Sequence, residues 1–395
     1  MISRLSTNRK VSHSLGIDIG ASAIKATLLE HGEEMTLLRT AMRLTTPIGA
    51  IVRGVVQDRR AVAGVLREIV RRLGVRVPQA ALTIPSEHLF VRCLDLPMMP
   101  PDALRAATRF EAKKYLPYPV ENAEVEILAM PGPAKGADQK LSAILIAAPK
   151  EVVQSRAEAL EMAGLEVARM DAEPFCLLRA LDLGHEARRN FWRDQPVAYV
   201  HLGEETSSLA IIQDAALRFV HPIAWGGARL TQALAMGLGI EPAKATAIKE
   251  SPETAIEADG TLCWENGQQR SGALVAELDR LRRELQRLMN YYSSLFPESS
   301  YQGMLNRCVL SGGTACLHGL DAYLSSILQV RSRGHAPLST VARALPEDTQ
   351  KLLKEHAPVY AVALGAALGV QPERGRTYVV RHQPTQPTLW AQKAA

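Results

Sequence analysis

Two short segments of the chain, one in each half, share a pattern that constrains the fold more than any other feature. Residues 15–29 read LGIDIGASAIKATLL, and residues 198–212 read AYVHLGEETSSLAII. Each is an apolar strand, a polar turn that carries a glycine, and a second apolar strand. Because glycine lets backbone N–H groups approach a phosphate closely, a hairpin of this kind can bind one. One such hairpin per half predicts a two-lobed nucleotide-binding fold.

The bulk composition argues against several classes of protein. With 395 residues, 47% of them hydrophobic and 22% charged, the chain can form two to four domains with a large core. A net charge of +5 with 5% aromatic residues and no Lys/Arg run predicts no nucleic-acid partner. The five cysteines lack CxxC spacing, which fits a reducing cytoplasm. No apolar run reaches about 18 residues, so we expect only indirect membrane contact.

The order of predicted elements divides the chain into segments. A β-α-β-β-α pattern over residues 87–170 predicts a small domain inserted into the first lobe, with helices at 100–115 and 150–163. Helical periodicity is also clear at 59–73 and at 274–292. The predicted segments are a flexible arm (1–13), the first-lobe core (14–86 and 171–195), the inserted domain (87–170), the second lobe (196–370, with a helical part at about 226–304) and a disordered tail (371–395).

The first glycine turn carries side chains suited to a phosphate with its Mg²⁺. Such a site needs backbone donors, a carboxylate near the metal's water and a lysine of matching charge. Asp18 ends the first apolar strand, Gly20 and Ala21 make the turn, and Lys25 follows. An ordinary hairpin with an edge lysine is the alternative interpretation of this pattern.

Two further segments fit the same kind of site. A strand ending at Ser311 runs into Gly312 and Gly313, whose lack of side chains would let the chain lie against a base or sugar. Glu173 lies in the first turn of a predicted helix. It is there either as a simple helix-capping acid or as a carboxylate that orients water in a cleft.

The order of these parts resembles that of the actin-like ATPase superfamily. Three segments are more specific: VRCLDLP from Val91, RFEAKKYLPYP from Arg109 and DAEPF from Asp171 resemble the PilM family, the cytoplasmic actin-like component of type IV pilus assembly. The resemblance covers about residues 14–370. It implies an α/β, two-lobed actin-like (ribonuclease H-like) fold. The β-α-β-β-α subdomain is inserted in the first lobe, as in the cell-division protein FtsA.

The same resemblance implies which residues would bind ATP and Mg²⁺. Asp18 would hold the metal through water, and Glu173 would be catalytic if the protein hydrolyses ATP. The implied nucleotide-binding residues are Asp18, Gly20, Ala21, Lys25, Gly203, Thr206, Gly226, Gly227, Lys249, Gly312 and Gly313.

Three positions depart from the superfamily pattern. His201 stands where the second phosphate motif has an aspartate, and imidazole supplies no anion for a Mg²⁺-bound water. Glu204 stands where a small residue is usual, and beside a polyphosphate it adds repulsion of about 1 kcal/mol or more. Thr246 stands where an acid usually contacts the ribose. These changes predict weak or absent binding of ATP and Mg²⁺, and lost hydrolysis.

The resemblance therefore favours an interaction protein over an enzyme. It implies a cytoplasmic adaptor, peripheral at the inner membrane, that docks the tail of an inner-membrane PilN-like partner beside other pilus or secretion components. We expect the tail to lie as an extended peptide between the first-lobe core and the inserted domain. An active ATP-binding and ATP-hydrolysing actin-family enzyme is the alternative, and a filament former is a third. The predicted partner-binding residues are Leu89, Val91, Cys93, Arg109 and Tyr115.

Overall fold

The computed structural model describes most of the chain between Ser12 and Val370. The described residues are 12–32, 36–74, 76–130, 140–184, 196–213, 216–295, 305–337, 350, 353 and 356–370. The predicted tail (371–395) lies outside them, as does the predicted arm up to residue 11. Ser12 and His13, assigned to the arm from sequence, belong instead to the first strand.

The described part of the chain forms both strands and helices. The strands are β1 (Ser12–Ile19), β2 (Ala23–His31), β3 (Thr36–Thr45), β4 (Ile51–Val52), β5 (Val55–Val56), β6 (Gln79–Ile84), β7 (Phe90–Leu96), β8 (Ala123–Ala129), β9 (Leu141–Pro149), β10 (Glu166–Ala172), β11 (Val197–Leu202), β12 (Ser207–Gln213), β13 (Ala216–Ile223), β14 (Ala255–Ile256), β15 (Leu262–Trp264), β16 (Gly267–Gln269), β17 (Arg307–Ser311) and β18 (Arg331–Gly334). The helices are α1 (Arg59–Leu73), α2 (Pro101–Lys113), α3 (Lys150–Met162), α4 (Glu173–Gly184), α5 (Gly227–Leu238), α6 (Pro242–Lys249), α7 (Gly272–Ser293), α8 (Leu320–Leu328) and α9 (Ala361–Gly369).

Two five-stranded sheets repeat one topology. Their strand orders are β10-β6-β1-β2-β3 and β18-β17-β11-β12-β13. In each sheet the central strand pairs antiparallel with the next strand of its hairpin and parallel with a strand from later in the lobe. The hairpins β1–β2 and β11–β12 therefore occupy equivalent places. This duplication confirms the two matching lobes that the glycine-containing hairpins predicted.

Helix α1 shows why some element bounds follow from sequence alone. Its residues are those predicted, 59–73. The Asp58 side chain accepts a hydrogen bond from the backbone N–H of Ala61 at 2.9 Å, and Gly74 ends the helix in the left-handed conformation at φ 68°. An aspartate before the helix and a glycine after it are strong local signals for a helix start and end.

The inserted subdomain is a three-stranded sheet of order β7-β9-β8 with α2 on one face. Its own core lies between that face and α2 and includes Leu94, Leu104 and Leu145. The other face of the sheet turns toward the first lobe, because Ile144 and Ile146 of β9 belong to the first-lobe core.

Residues 150–170 belong to the first lobe, although the sequence pattern predicts them in the inserted domain. Helix α3 packs against α1, and its buried residues Val152 and Leu160 lie in the first-lobe core. Strand β10 was not predicted at all, and it pairs parallel with β6 at the edge of the first sheet. Its charged residues Arg169 and Asp171 break the apolar pattern, yet they are buried as an ion pair with 2.9 Å between Nε and Oδ2.

Helix α9 lies directly on β1 and α4 because glycines leave room for close backbone approach. A Cβ on Gly16 would overlap the backbone carbonyl of Ala363, and a Cβ on Gly365 would overlap that of Cys176. No helix in the described part of the chain is long and apolar enough to cross a membrane.

We predict that Gly365→Ala lowers the free energy of unfolding by about 1–3 kcal/mol, because overpacking forces the α9 and α4 backbones apart. Gly64→Ala in α1 is the matched control, since a methyl group there would meet no atom within 4 Å. That change removes backbone freedom from the unfolded chain and should stabilise the protein by about 0.4–1 kcal/mol. Urea unfolding measures both, and equal effects of the two substitutions would contradict the close packing.

Candidate functional site

A cleft between the two lobes brings the hairpin turns together. Its cavity volume is about 160 Å³. Of the three residues that differ from the superfamily pattern, His201 and Glu204 line the cavity and Thr246 does not. The predicted residues that line it are Asp18, Gly20, Ala21, Lys25, Glu173, Gly203, Thr206, Lys249 and Gly313.

Asp18 at the end of β1 is already engaged by protein groups. Its Oδ2 lies 3.0 Å from the Lys25 ammonium, and Thr83 Oγ1 donates a hydrogen bond to its Oδ1 at 3.4 Å. Burial opposes ionisation of this carboxyl, but attraction from Lys25, His201 and Arg156 holds its pKa below the usual value. The first turn therefore carries a carboxylate whose charge is balanced within the protein.

Arg156 is a buried cation of the cleft that sequence analysis missed. It reaches the cavity from α3, where its guanidinium donates to the carbonyls of Ile19 at 2.9 Å and Gly54 at 2.7 Å. Burial lowers its pKa to about 10, while Asp18 and other acids oppose that shift, so it is protonated at neutral pH. A lone arginine in an amphipathic helix carries no motif that could have identified it.

Glu173 joins the two lobes. Its Oε1 accepts one hydrogen bond from Ser86 Oγ at 2.7 Å and another from Ser208 Oγ at 2.9 Å. Ser86 follows β6 of the first lobe, and Ser208 lies on β12 of the second. Glu173 is 7% exposed and each serine 2%. The predicted catalytic carboxylate is thus fixed between two hydroxyl groups, one from each lobe.

The turn of the second hairpin rests on the N-terminus of α5. The backbone N–H groups of Gly227 and Ala228 donate to the carbonyls of Gly203 and Glu204, both at 2.9 Å. A side chain on Gly226 would overlap the Glu204 backbone. The two adjacent glycines therefore hold the turn in place.

His201 and Gly312 complete this wall of the cleft. The His201 Nδ1 is 3.0 Å from Ser311 Oγ. Gly312 has a φ of 91°, and a Cβ there would overlap the Leu202 backbone, so this position requires glycine. Gly313 beside it has open space and lines the cavity.

Lys249 pairs with Glu204 on the same wall. Its ammonium lies 3.5 Å from Glu204 Oε2 and donates to the Gly227 carbonyl at 3.1 Å. Thr246, one turn earlier on α6, donates to the Pro242 carbonyl at 3.0 Å within its own helix.

Two further contacts join the lobes. Arg43 of β3 pairs with Glu250 at the end of α6, at 3.3 Å. Cys93 of β7 donates from Sγ to the Arg218 carbonyl of β13 at 3.4 Å. The inserted subdomain therefore touches the second lobe as well as the first.

A second candidate region lies where the inserted sheet faces the first lobe. Strands β8 and β10 are both edge strands, each with one described partner strand. On β8, the Oε2 atom of Glu126 is buried and has no hydrogen-bond partner among the described residues. Burial raises the pKa of Glu126 to about 8, with Asp171 raising it further and Arg169 opposing the shift. A carboxyl with a raised pKa and two edge strands therefore lie in this region.

The structure divides the predicted partner-binding residues between two faces. Val91 and Cys93 pair with Ile146 and Ile144 on the side that faces the lobes, and Leu89 is buried in the first-lobe core. The other two residues belong to the opposite side: Arg109 is on α2, and Tyr115 follows it with Arg92 4.5 Å above its ring. Helix α2 therefore does not form a wall of a groove against the first lobe, because the sheet lies between them. A role in partner binding remains a prediction for all five.

The duplicated sheets and the cleft between them define a two-lobed actin-like protein. The chain belongs to the family of type IV pilus assembly proteins PilM, whose family model matches residues 16–371. Among solved structures, it is similar to a chain of a PilM-PilN type IV pilus biogenesis complex, with 26% identity and a TM-score of 0.73. That match covers 91% of this chain and 99% of the other.

More distant structural similarity extends to other proteins. The ethanolamine utilization protein EutJ from Carboxydothermus hydrogenoformans is 16% identical with a TM-score of 0.47, and the match covers 90% of this chain and 89% of that one. MreB 5 of Spiroplasma citri, bound to AMPPNP, is 13% identical with a TM-score of 0.48, covering 87% and 96% respectively.

We predict that Glu173→Ala lowers the free energy of unfolding by about 1–3 kcal/mol, because it leaves two buried hydroxyl groups without their acceptor. Glu173→Gln retains an acceptor oxygen and should cost less. The exposed residue Glu253, changed to Gln, is the control. Urea unfolding tests the series, and an alanine variant as stable as the wild type would contradict the role of Glu173 as an interlobe contact.

Glu126 makes stability depend on pH in a defined direction. Because the folded protein binds this proton more tightly than the unfolded chain, its contribution is present below the usual pKa of 4.5 and is lost as pH rises through about 8. Glu126→Gln should therefore raise the melting temperature more at pH 8.5 than at pH 5.5, and Glu124→Gln on the same strand should not. An equal shift for Glu126→Gln at both pH values would contradict the raised pKa.

Proposed function

We propose that this protein is a pilus assembly adaptor that docks an extended segment of a PilN-like inner-membrane protein, and that its interlobe cleft is a degenerate nucleotide site. Membership of the PilM family supports the role in type IV pilus assembly. The observation that carries the docking proposal is similarity over nearly the whole chain to a chain of a PilM-PilN complex.

The docking site that we propose lies between the inserted sheet and the first lobe. Edge strands offer unpaired backbone groups that an added strand can use, and β8 and β10 both have a free edge in the described structure. Glu126 offers a buried carboxyl oxygen that lacks a donor among these residues, and Arg169 lies near it with its own charge. A backbone or side-chain N–H group of a bound segment would satisfy Glu126.

The proposed location follows from this partner. An inner-membrane protein whose tail extends into the cytoplasm would hold the adaptor at the membrane surface. The adaptor would then be peripheral, and other assembly components would meet it there.

Two observations support a degenerate nucleotide site. Both oxygens of Asp18, the implied metal ligand, already have protein partners. The cavity of about 160 Å³ is also smaller than the roughly 300–1,000 Å³ typical of small-molecule sites. A Mg²⁺-bound triphosphate thus fits this arrangement poorly.

We predict that a peptide matching the cytoplasmic tail of the PilN-like partner binds with a Kd of about 50 μM or tighter. Glu126→Ala should weaken binding at least about fivefold, because it removes the carboxyl that a tail N–H would meet. Asp95→Asn, an exposed change on β7 of the same sheet, is the control. Isothermal titration calorimetry measures the three affinities.

Two results would contradict the docking proposal. Absence of binding by the wild type would reject the partner, and equal losses for the Glu126 and Asp95 variants would reject the position. Robust ATP turnover by the wild type that disappears in Glu173→Ala would instead favour an active ATPase.

A further inference from the structure

We propose that Glu204 is a built-in anion of the cleft: its carboxylate neutralises Lys249 and so keeps polyphosphates out. This inference rests on the proposed degenerate nucleotide site and assigns that property to one side chain. Lys249 is 8% exposed, and its ammonium has two described partners, Glu204 Oε2 at 3.5 Å and the Gly227 carbonyl at 3.1 Å. A buried ammonium requires an anion, and here the protein supplies it.

The backbone fixes Glu204 at this place. Its carbonyl accepts the N–H of Ala228 at 2.9 Å, so the residue is tied to the first turn of α5. Gly226 allows this approach because a side chain there would overlap the Glu204 backbone. A Cβ on Gly227 would lie 3.3 Å from Glu204 Oε2 and 3.2 Å from the Lys249 ammonium, so the pair packs tightly against α5. The carboxylate is held beside Lys249 by the fold and not only by its own side-chain rotamer.

The other charged side chains of the cleft do not offset the negative charge of Glu204. Six carboxylates and four Lys or Arg side chains line the cavity. Three of those cations pair with carboxylates of the cavity wall, namely Lys25 with Asp18, Lys249 with Glu204 and Arg43 with Glu250. The fourth, Arg156, donates to two backbone carbonyls, and its buried Nε has no hydrogen-bond partner in the described structure. Each Lys or Arg among the described lining residues thus has at least one internal acceptor, and the lining carries more carboxylates than cations.

Of the lining carboxylates, Glu204 is the one whose removal would most readily leave a cation available to a phosphate. The Asp18–Lys25 pair lies within one hairpin, where the two residues are direct partners in the strand register. The Arg43–Glu250 pair is at the mouth, with side chains 46% and 38% exposed, so water screens it. Lys249 is the most buried of the three cations that pair with carboxylates, and without Glu204 its nearest strong counter-charge would be an anion that enters the cleft.

The substitution Glu204→Gln tests the charge of this side chain without changing its size. It retains the volume of the side chain but removes repulsion toward phosphates and frees Lys249 to bind one. If Glu204 only neutralised Lys249 for folding, the glutamine variant would be less stable with unchanged affinity for ATP. The two roles therefore predict different binding data.

The test is isothermal titration calorimetry of the full chain with Mg·ATP and with adenosine, an uncharged probe for the same cleft. We expect Glu204→Gln to bind Mg·ATP at least about tenfold more tightly than the wild type, with adenosine affinity changed less than about twofold. Glu253→Gln, which removes an acid outside the cavity lining, should match the wild type. Adding Lys249→Gln to Glu204→Gln should abolish the gain. Glu204→Ser serves the same purpose if the glutamine variant does not fold.

The outcomes distinguish the role of Glu204 from the proposal that the cleft is a degenerate nucleotide site. Unchanged ATP affinity in both Glu204 variants, or an equal gain for adenosine, overturns the role of Glu204 and leaves the degenerate site in place. Submicromolar binding of Mg·ATP by the wild type overturns the degenerate site and this inference together.

Discussion

The carboxylate of Glu173 is a buried polar contact between the two lobes, beside a hydrophobic core to which both lobes contribute. A buried carboxylate needs hydrogen-bond donors, because its transfer from water is otherwise costly. Ser86 and Ser208 supply them from opposite lobes at 2.7 Å and 2.9 Å. Separating the lobes breaks the bond to Ser208 and exposes the remaining bond to Ser86 to water. Groups of the protein itself therefore connect the two lobes, and no ligand is needed for this contact.

Helix α3 connects the cleft to the inserted subdomain. It delivers Arg156 to the cavity wall, and it also packs beneath β8 and β9 of the inserted sheet. The inserted sheet in turn reaches the second lobe through Cys93 and the Arg218 carbonyl. A segment bound beside β8 would thus lie next to α3 of the first lobe, whereas the contact with the second lobe is at β7, the opposite edge of the inserted sheet. The proposed docking face and the cleft are neighbours within one packed unit.

Local signals explain how much of this molecule could be predicted from sequence. Helical periodicity predicted α1 over residues 59–73, and the repeated hairpins revealed the two lobes. Strand β10 was missed because Arg169 and Asp171 break its apolar pattern, and only the fold shows that these charges are buried as ion pairs. The serine partners of Glu173 and the buried Arg156 were missed because the groups that they contact are distant in sequence. Tertiary contacts between lobes leave no periodic or motif signal in either segment alone.

The central claim is that the lobes stay closed without nucleotide, because internal hydrogen bonds and ion pairs occupy the groups that line the cleft. Small-angle X-ray scattering of the protein, first without nucleotide and then with added Mg·ATP, tests this most directly. The account predicts superimposable scattering profiles and a single radius of gyration. A larger nucleotide-free particle that contracts when Mg·ATP is added would contradict it.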